Sequence, residues 1–358
     1  MRSLEDMAKN LSALFQEAGN FVDAPGPMGE RLVPANTRGF FESEIIGFAG
    51  LSVRAVGFAN ARERKDLHGV HIYVTRGSQR DLRSLPDEFQ NTPIHPHKLG
   101  PIHVKPRASS VSTHRGHVFE YNGRIACGSS CAPATTNYSG TFGAIVKRKG
   151  GAMFALSNNH VFGDCNHMPV GQPIMVPSNQ DAGPKIRSPQ EIGRHSEISE
   201  LRSGTPLLVP KAREDAALAE VTHHDDVTSW QGDKSDGYDT PAKVAEPIPG
   251  MRVKKFGRTT GLTVGEVESL QVDFTLPYDS DQFRAVVWFE KVWSVKRTGK
   301  YPFALPGDSG SLVVTEDGKS SIGLLFAATS RGEYGFIVPI SHVLARFGSI
   351  SLVSKHGV

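Results

Sequence analysis

Residues 306–311 read Pro-Gly-Asp-Ser-Gly-Ser and precede a short apolar run at residues 312–314. A serine hydroxyl is a weak nucleophile until a base takes its proton, and the oxyanion formed on the attacked carbonyl needs two donors. Gly307 lets the backbone turn so that its own N–H and that of Ser309 converge, and Gly310 leaves room beside the hydroxyl. An ordinary turn has the same pattern, so a catalytic role requires partners elsewhere in the chain.

A histidine follows the strand-like run at residues 153–158 (Met-Phe-Ala-Leu-Ser-Asn). Asn159 and His160 come next, which places the imidazole at the end of that strand. His160 is the expected base for Ser309, because an imidazole can accept a proton near neutral pH. A structural histidine at a strand terminus remains the alternative.

An acidic residue, Asp215, opens the small apolar run at residues 216–219. A buried carboxylate is costly without a hydrogen-bond partner, and the Nδ1–H of a catalytic imidazole is a suitable partner. Asp215 in a turn or a helix cap is the alternative interpretation. Asp225 and Asp226 are further candidates for the acid, but neither opens an apolar strand.

Three motifs resemble those of trypsin-like, chymotrypsin-fold serine peptidases. Residues 159–161 (Asn-His-Val) resemble the histidine motif, residues 215–218 (Asp-Ala-Ala-Leu) resemble the Asp-x-Ala-Leu motif, and residues 307–310 resemble the nucleophile loop. The order His, Asp, Ser also matches that family. The resemblance covers residues 118–350.

This resemblance implies a mainly β protein with two six-stranded antiparallel barrels. The first barrel, expected at residues 118–230, carries His160 and Asp215, and the second, expected at residues 240–350, carries Ser309. The family implies a Ser-His-Asp triad, an acyl-enzyme intermediate and an oxyanion hole formed by the N–H groups of Gly307 and Ser309. It implies no cofactor and no metal.

A narrower resemblance is to signal-less bacterial relatives of the plant narrow-leaf-type proteases, which carry a small α+β segment ahead of the protease. It rests on residues 157–161, 171–174, 257–265 and 307–311. Residues 257–265 (Gly-Arg-Thr-Thr-Gly-Leu-Thr-Val-Gly) also predict a hairpin whose Arg and Thr side chains brace the barrel, with direct substrate binding as the alternative.

The substrate pocket is predicted by counting along the chain from Ser309. Phe303 lies six residues earlier, where trypsin-type pockets hold an acid, and Leu325, Phe326 and Ala327 are expected to form the opposite wall. An uncharged pocket offers nothing to offset the desolvation of Lys or Arg, so an apolar or small residue is expected before the scissile bond.

The chain also lacks the Ile-Val-Gly-Gly start of secreted trypsins before the first barrel. A freed N-terminus is therefore not expected to pair with Asp308.

The first 110 residues have a different pattern. A helix is predicted within residues 1–24 from a capping box at Ser3 and Asp6, and either packing against the body or docking of a regulatory partner suits it. A break is expected at residues 25–29 and an α+β module at residues 40–110. Within that module the predicted elements are strands at residues 51–58, 70–75 and 102–104, a short helix near residues 81–89, and a loop without chemistry at His95, Pro96 and His97. A metal site formed by these histidines with His103 is the alternative, but the prolines and the lack of an evident fourth ligand favour the loop.

Composition excludes several classes of protein. The net charge of +3 is spread among interspersed acids and bases, which argues against nucleic-acid binding. No run is apolar enough for a signal peptide or a membrane span, so a cytoplasmic location is expected. Three cysteines argue against a disulfide framework. Free thiols are expected, and a zinc site formed by Cys127, Cys131, Cys165 and His167 remains the alternative.

Together these features predict an intracellular serine endopeptidase acting on proteins or peptides. A regulated protease that cuts one protein partner is a specific form of this prediction, with the N-terminal module as a site for a regulatory partner. The alternative is a binding or scaffold protein that keeps the protease fold with little or no turnover.

Overall fold

The computed structural model describes residues 3–22, 51–76, 82, 85–89, 91–103, 118–183, 188–279, 284–348 and 350–358. The predicted break at residues 25–29 lies outside these ranges, as does residue 104 of a predicted strand. The helices with described bounds are α1 (Leu4–Glu17), α2 (Asn159–Phe162) and α3 (Ile340–Arg346). No helix in the described ranges is both long and apolar enough to cross a bilayer.

The described strands follow one another in three groups along the chain. Those before residue 104 are β1 (Ser52–Ala59), β2 (Gly69–Arg76), β3 (Glu88–Phe89), β4 (Thr92–Lys98) and β5 (Ile102–His103). Those of the middle region are β6 (Glu120–Tyr121), β7 (Arg124–Cys127), β8 (Ser130–Pro133), β9 (Gly140–Thr141), β10 (Ala144–Lys147), β11 (Met153–Ser157), β12 (Pro173–Val176), β13 (Gln190–Ile198), β14 (Ala217–Val221), β15 (Val227–Gln231) and β16 (Tyr238–Asp239). The last group is β17 (Arg252–Gly257), β18 (Gly261–Asp279), β19 (Arg284–Phe289), β20 (Val292–Arg297), β21 (Leu312–Thr315), β22 (Ser321–Thr329), β23 (Tyr334–Pro339) and β24 (Ser351–Leu352).

These strands form three sheets of 12, 8 and 4 strands. The eight-stranded sheet has the order β24-β10-β11-β14-β13-β12-β8-β9, and the small one has the order β16-β15-β7-β6. The largest sheet contains β17 to β23 together with all five strands of the N-terminal region. The mainly β expectation is confirmed, but the described sheets are not two separate six-stranded barrels.

The long strand β18 is the physical reason for this difference. Its first part pairs with β17 and β20, and its later part pairs with β19 and β1, with Ala55 opposite Phe274. β1 continues to β2, which pairs in parallel with β4. The N-terminal strands therefore extend the sheet of the C-terminal half.

Helix α1 covers one face of this extension. Ser3 Oγ accepts the N–H of Asp6, and the Asp6 carboxylate accepts the N–H of Ser3, so the predicted capping box is present. Ser12 Oγ donates to Asp273 Oδ2 of β18 at 2.7 Å. The buried apolar side chains of the helix pack with those of β1 and β2: Met7, Ala8, Leu11, Leu14, Phe15, Val53, Val56, Val70, Ile72 and Val74.

Two local expectations for the N-terminal region are wrong. Residues His95, Pro96 and His97 form part of β4 rather than a loop. Proline lacks the N–H that a strand residue donates to its neighbour. Pro96 is tolerated in β4 because β3 pairs only with Thr92 and Pro93, so no neighbouring strand on that side needs an N–H from residue 96. Residues 88 and 89, predicted as helix, form β3, whereas residues 81, 83 and 84 lie outside the described ranges.

Candidate active site

Strand pairing brings His160 and Asp215 together. β11 ends at Ser157, which pairs with Ala217 at the start of β14. The residues that follow β11 and those that precede β14 therefore lie at the same end of the eight-stranded sheet. His160 Nδ1 lies 2.6 Å from Asp215 Oδ2, and the backbone N–H of His160 donates to Asp215 Oδ1 at 3.2 Å. Because a carboxylate only accepts, Nδ1 carries the imidazole proton.

Tyr278 is a third member of this buried cluster, and the sequence did not indicate it. Its hydroxyl donates to Asp215 Oδ2 at 2.7 Å, and its ring lies edge-on to His160 at 6.0 Å. Burial, reinforced by the charge of Asp215, raises the pKa of Tyr278 well above its ordinary value, so the phenol remains a neutral donor. Asp215 therefore accepts bonds from two partners.

The loop that carries Ser309 lies against the first half of the chain. The N–H of Thr141 donates to the carbonyl of Ser309 at 2.8 Å. A Cβ on Gly310, where φ is +97°, would lie 2.3 Å from both Ser157 Oγ and the Thr141 carbonyl. Only glycine therefore fits there, and the contact places the loop beside the end of β11, three residues before His160.

The hydroxyl of Ser309 does not bond to His160 in this structure. Ser309 Oγ donates to the carbonyl of Phe326 at 3.5 Å, which is a weak bond. His160 Nε2 is buried and has no hydrogen-bond partner among the described residues. The structure thus joins His160 to Asp215 and brings the Ser309 loop to the same sheet end, without closing a hydrogen bond between base and hydroxyl.

Gly307 has the backbone conformation that the sequence suggested. Its φ is +101°, and a Cβ there would lie 2.4 Å from Thr259 Oγ1. The Gly307 carbonyl accepts from Thr141 Oγ1 at 2.9 Å. The N–H groups of Gly307 and Ser309 donate to no described group.

Asp308 has a buried lysine, Lys255, as its counter-ion. Lys255 Nζ lies 3.4 Å from Asp308 Oδ2, and neither side chain is exposed. Asp308 Oδ1 also accepts the N–H groups of Thr259 and Thr260 at 2.8 and 3.1 Å, and Oδ2 accepts the N–H of Leu305 at 2.9 Å. Burial lowers the pKa of Lys255, and the charge of Asp308 opposes this shift. The acid next to Ser309 is therefore paired inside the fold.

Arg258, on the same hairpin, forms a second buried ion pair. Its Nε donates to Asp181 Oδ2 at 2.6 Å and its Nη2 to Asp181 Oδ1, which is a two-pronged contact. The backbone N–H of Arg258 donates to Thr141 Oγ1 at 3.1 Å. The bracing role predicted for this hairpin agrees with these contacts.

The residues predicted to line a pocket are all buried, and they divide between two cores. The Phe303 ring packs against Gly265 and Gly335 and shares one apolar cluster with Leu325. Phe326 and Ala327 belong to a different cluster. Phe303 therefore fills space between the strands, and the four side chains belong to two different apolar clusters.

A strand from the N-terminal region lies on the same sheet edge as Phe326. In β5, His103 pairs with Ala328 and Ile102 pairs with Thr329 of β22. β21 pairs with β22 only as far as Leu324, so β5 occupies the next part of that edge. The part of β22 that β5 covers begins at Ala328, two residues after Phe326, whose carbonyl accepts the hydroxyl of Ser309.

The cysteines do not form the alternative zinc site. All three are buried and none forms a disulfide. Among the described residues, no metal-type cluster joins Cys127, Cys131, Cys165 and His167.

Three solved structures resemble part of this chain. Protease A of Thermobifida fusca is 18% identical, with a TM-score of 0.43 over 64% of this chain and 100% of that chain. A Nocardiopsis protease is 17% identical, with a TM-score of 0.43 over 63% and 97%, and a Cellulomonas bogoriensis chymotrypsin is 15% identical, with a TM-score of 0.41 over 64% and 98%. Neither a protein-family model nor a curated protein sequence matches the chain. Similarity at this level assigns no activity, so function rests on the geometry of the site.

Proposed function

We propose that this chain is a serine endopeptidase in which Ser309 is the nucleophile, His160 the general base and Asp215 the residue that orients the imidazole. The observation that carries the proposal is the buried His160–Asp215 pair. His160 Nδ1 is bound to the Asp215 carboxylate at 2.6 Å, whereas His160 Nε2 has no partner among the described residues. An imidazole held in this way presents a basic nitrogen for proton transfer.

The first half of the proposed reaction is acylation. The Ser309 hydroxyl turns from the Phe326 carbonyl towards His160 Nε2, a movement consistent with the loose hydrogen bonds of enzymes without substrate. Ser309 Oγ attacks the peptide carbonyl carbon while its proton passes to Nε2. The N–H groups of Gly307 and Ser309 stabilise the oxyanion.

The second half releases both products. His160 gives its Nε2 proton to the leaving amine, and the acyl group remains on Ser309 Oγ. A water molecule then attacks this ester while His160 Nε2 takes its proton. The bond between the acyl carbon and Ser309 Oγ breaks as Nε2 gives that proton to Oγ, which releases the carboxylic acid and restores the hydroxyl and the neutral imidazole. Asp215 stays ionised throughout, supported by the hydroxyl of Tyr278.

The finer expectations from the sequence remain part of this proposal. Residues 118–230 and 240–350 are proposed as the two halves of the protease unit, with an apolar or small residue preferred before the scissile bond. The likeness to narrow-leaf-type proteases and the cytoplasmic location remain predictions. Protein or peptide substrates follow from the proposed chemistry.

Labelling with a fluorophosphonate probe tests the nucleophile. Wild-type protein is expected to become labelled on Ser309, because the probe reacts with serines that an adjacent base activates. Ser309→Ala is expected to lose the label completely. Ser351→Ala, which removes an exposed serine hydroxyl from β24, is the matched control and should label like wild type. The measurement is in-gel fluorescence with mass-spectrometric assignment of the modified residue.

Equal labelling of wild type and Ser309→Ala would contradict the proposal. Absence of labelling in both, combined with no cleavage of a peptide library, would favour the scaffold alternative.

Strand β5 gives the proposed protease a means of regulation. Peptide substrates commonly bind by adding a strand to an exposed sheet edge, and the edge nearest Ser309 is that of β22 beyond Phe326. β5 already pairs with Ala328 and Thr329 there. A substrate with several residues before the scissile bond is therefore proposed to compete with β5.

Displacing β5 should favour long substrates. Ile102 is buried in the core, so Ile102→Glu is expected to release the strand. We expect kcat/KM for a peptide with four residues before the scissile bond to rise about tenfold. This is the gain if β5 leaves the β22 edge open in about one-tenth of wild-type molecules and in nearly all molecules of the variant. Hydrolysis of a single-residue ester, which does not need the edge, should change little.

The control for this experiment is Ile94→Glu, an equally buried isoleucine in β4 that does not contact β22. A similar change for both substrates, or the same effect in Ile94→Glu, would show that β5 does not occupy the substrate edge.

A further inference from the structure

A cluster of two histidines and one glutamate lies where the N-terminal strands meet β18. His71 is on β2, His97 on β4 and Glu268 on β18. His71 Nδ1 lies 2.8 Å from His97 Nε2, and His97 Nε2 lies 3.8 Å from Glu268 Oε2. All three potential donor atoms lie within 4.8 Å of one another. The polar contacts of the cluster do not include His160 or Ser309, and it plays no part in the proposed reaction.

Each of the three side chains is oriented by an outer partner. His71 Nε2 lies 2.7 Å from the carbonyl of Leu67, which only accepts, so Nε2 carries the proton and Nδ1 has the lone pair. His97 Nδ1 lies 3.0 Å from the hydroxyl of Tyr334. The hydroxyl of Tyr73 donates to Glu268 Oε2 at 2.6 Å. Histidine ligands of metals are held by such second contacts, which fix the ring and its tautomer.

The carboxyl group of Glu268 is buried, and the cation beside it is largely in solvent. The side chain of Glu268 is 3% exposed, and Lys296 Nζ, on a side chain that is 54% exposed, lies 3.6 Å from its Oε1. Its Oε2 faces His97 Nε2 at 3.8 Å, and His97 Nε2 in turn lies beside His71 Nδ1. One carboxyl oxygen and two imidazole nitrogens that converge inside the fold have the composition of a cation site.

We propose that His71, His97 and Glu268 bind one divalent transition-metal ion, with Zn²⁺ as the best fit. Two imidazole nitrogens and one carboxylate oxygen are a known Zn²⁺ ligand set, and a water molecule completes four-coordination. Zinc bonds of about 2.0 to 2.2 Å place tetrahedral ligands roughly 3.3 Å apart. The separations of 2.8 and 3.8 Å lie on either side of this spacing and no pair of the three atoms exceeds 4.8 Å, so modest side-chain movements form the site.

Binding requires one change of tautomer and no net loss of protons. Without metal, His97 Nε2–H donates to His71 Nδ1, and the hydroxyl of Tyr334 donates to His97 Nδ1. With metal, His97 carries its proton on Nδ1 and donates to Tyr334 Oη, which frees Nε2 as a ligand. The ion then ties β2 and β4 to β18, so its role is structural, and the proposal stands whether or not the chain is a protease.

Metal titration of the full chain tests this proposal. After dialysis against a chelator, wild type is expected to bind one Co²⁺ per chain, seen as visible ligand-field absorption, and Zn²⁺ should displace it. His97→Ala and Glu268→Gln should abolish this binding. Tyr334→Phe, which removes only an outer contact, should weaken it about 10- to 100-fold. Zn²⁺ should also raise the thermal unfolding midpoint of wild type by a few degrees, but not that of His97→Ala.

His167→Ala is the matched control, because it removes an exposed histidine that belongs to the alternative cysteine set. It should bind Co²⁺ like wild type. Loss of binding in His167→Ala, retention in His97→Ala, or no binding by wild type would each overturn the proposal. If the cluster variants fail to fold, anomalous diffraction at the zinc edge from wild-type crystals decides whether the ion lies between His71, His97 and Glu268.

Discussion

Asp215→Asn is expected to lower kcat by about 10⁴-fold, the loss typical when the acid of a Ser-His-Asp triad becomes an amide. The carboxylate accepts both the backbone N–H and the Nδ1–H of His160. In asparagine only the oxygen accepts, so with that oxygen on the backbone N–H the amide nitrogen faces Nδ1 and cannot accept its proton. The imidazole then carries its proton on Nε2, the nitrogen that must receive the proton of Ser309. KM should change only a few-fold, because Asp215 is buried behind His160. Steady-state kinetics on a peptide substrate measures both constants.

Tyr278→Phe is the matched control for this experiment. It removes one of the two donors to Asp215 Oδ2 and keeps the carboxylate itself. A hydrogen bond to a charged group contributes about 1.5 to 3 kcal/mol. If the whole of this contribution were lost in the transition state, kcat would fall about 10- to 150-fold, which is well below the loss expected for Asp215→Asn. A kcat for Asp215→Asn within tenfold of wild type, or equal losses in both variants, would show that Asp215 does not set the tautomer.

The three residues of the candidate triad could be selected from the sequence because each lies beside a local signal. Ser309 is bracketed by glycines, His160 follows an apolar run, and Asp215 opens another. Each signal is a few residues long, so it can be found without knowing how strands pair. The pairing of Ser157 with Ala217 then joins two of these signals in space.

The supporting residues could not be found in this way. Tyr278 lies 63 positions from Asp215, near the end of a 19-residue strand. Lys255 occupies a strand position that reads as solvent-facing, yet it is fully buried against Asp308. Their roles depend on which strands become neighbours, and a pattern of apolar and polar residues does not determine that.

The N-terminal region shows the same limit. The strands near residues 51–58 and 70–75 were predicted, but β-strand propensity does not name a partner, and their sheet continues through β18. Counting from Ser309 also could not show that the Phe303 ring packs between Gly265 and Gly335. Counting positions fixes a backbone location, whereas packing decides where the side chain goes.

The buried ion pair between Arg258 and Asp181 should dominate the stability of the hairpin that supports Asp308. Arg258→Met is expected to lower the free energy of unfolding by about 3 to 5 kcal/mol, because it leaves the Asp181 carboxylate buried without its cation. The hydroxyls of Ser130 and Ser139 still donate to that carboxylate, at 2.6 and 3.1 Å, but they bring no charge. Urea unfolding followed by fluorescence measures the change.

Two further variants separate charge burial from general damage to the hairpin. Arg252, at the start of β17, forms an exposed ion pair with Glu316. Arg252→Met breaks this pair and should lower the free energy of unfolding by no more than about 1 kcal/mol, as is usual for surface pairs. The double variant Arg258→Met/Asp181→Leu removes both buried charges and should recover much of the stability lost in Arg258→Met, since apolar replacement of a whole buried pair is often neutral. If the double variant were less stable than Arg258→Met alone, the loss would come from packing rather than from an unpaired carboxylate. The loop of Ser309 would then depend on the shape of this hairpin instead of its charge.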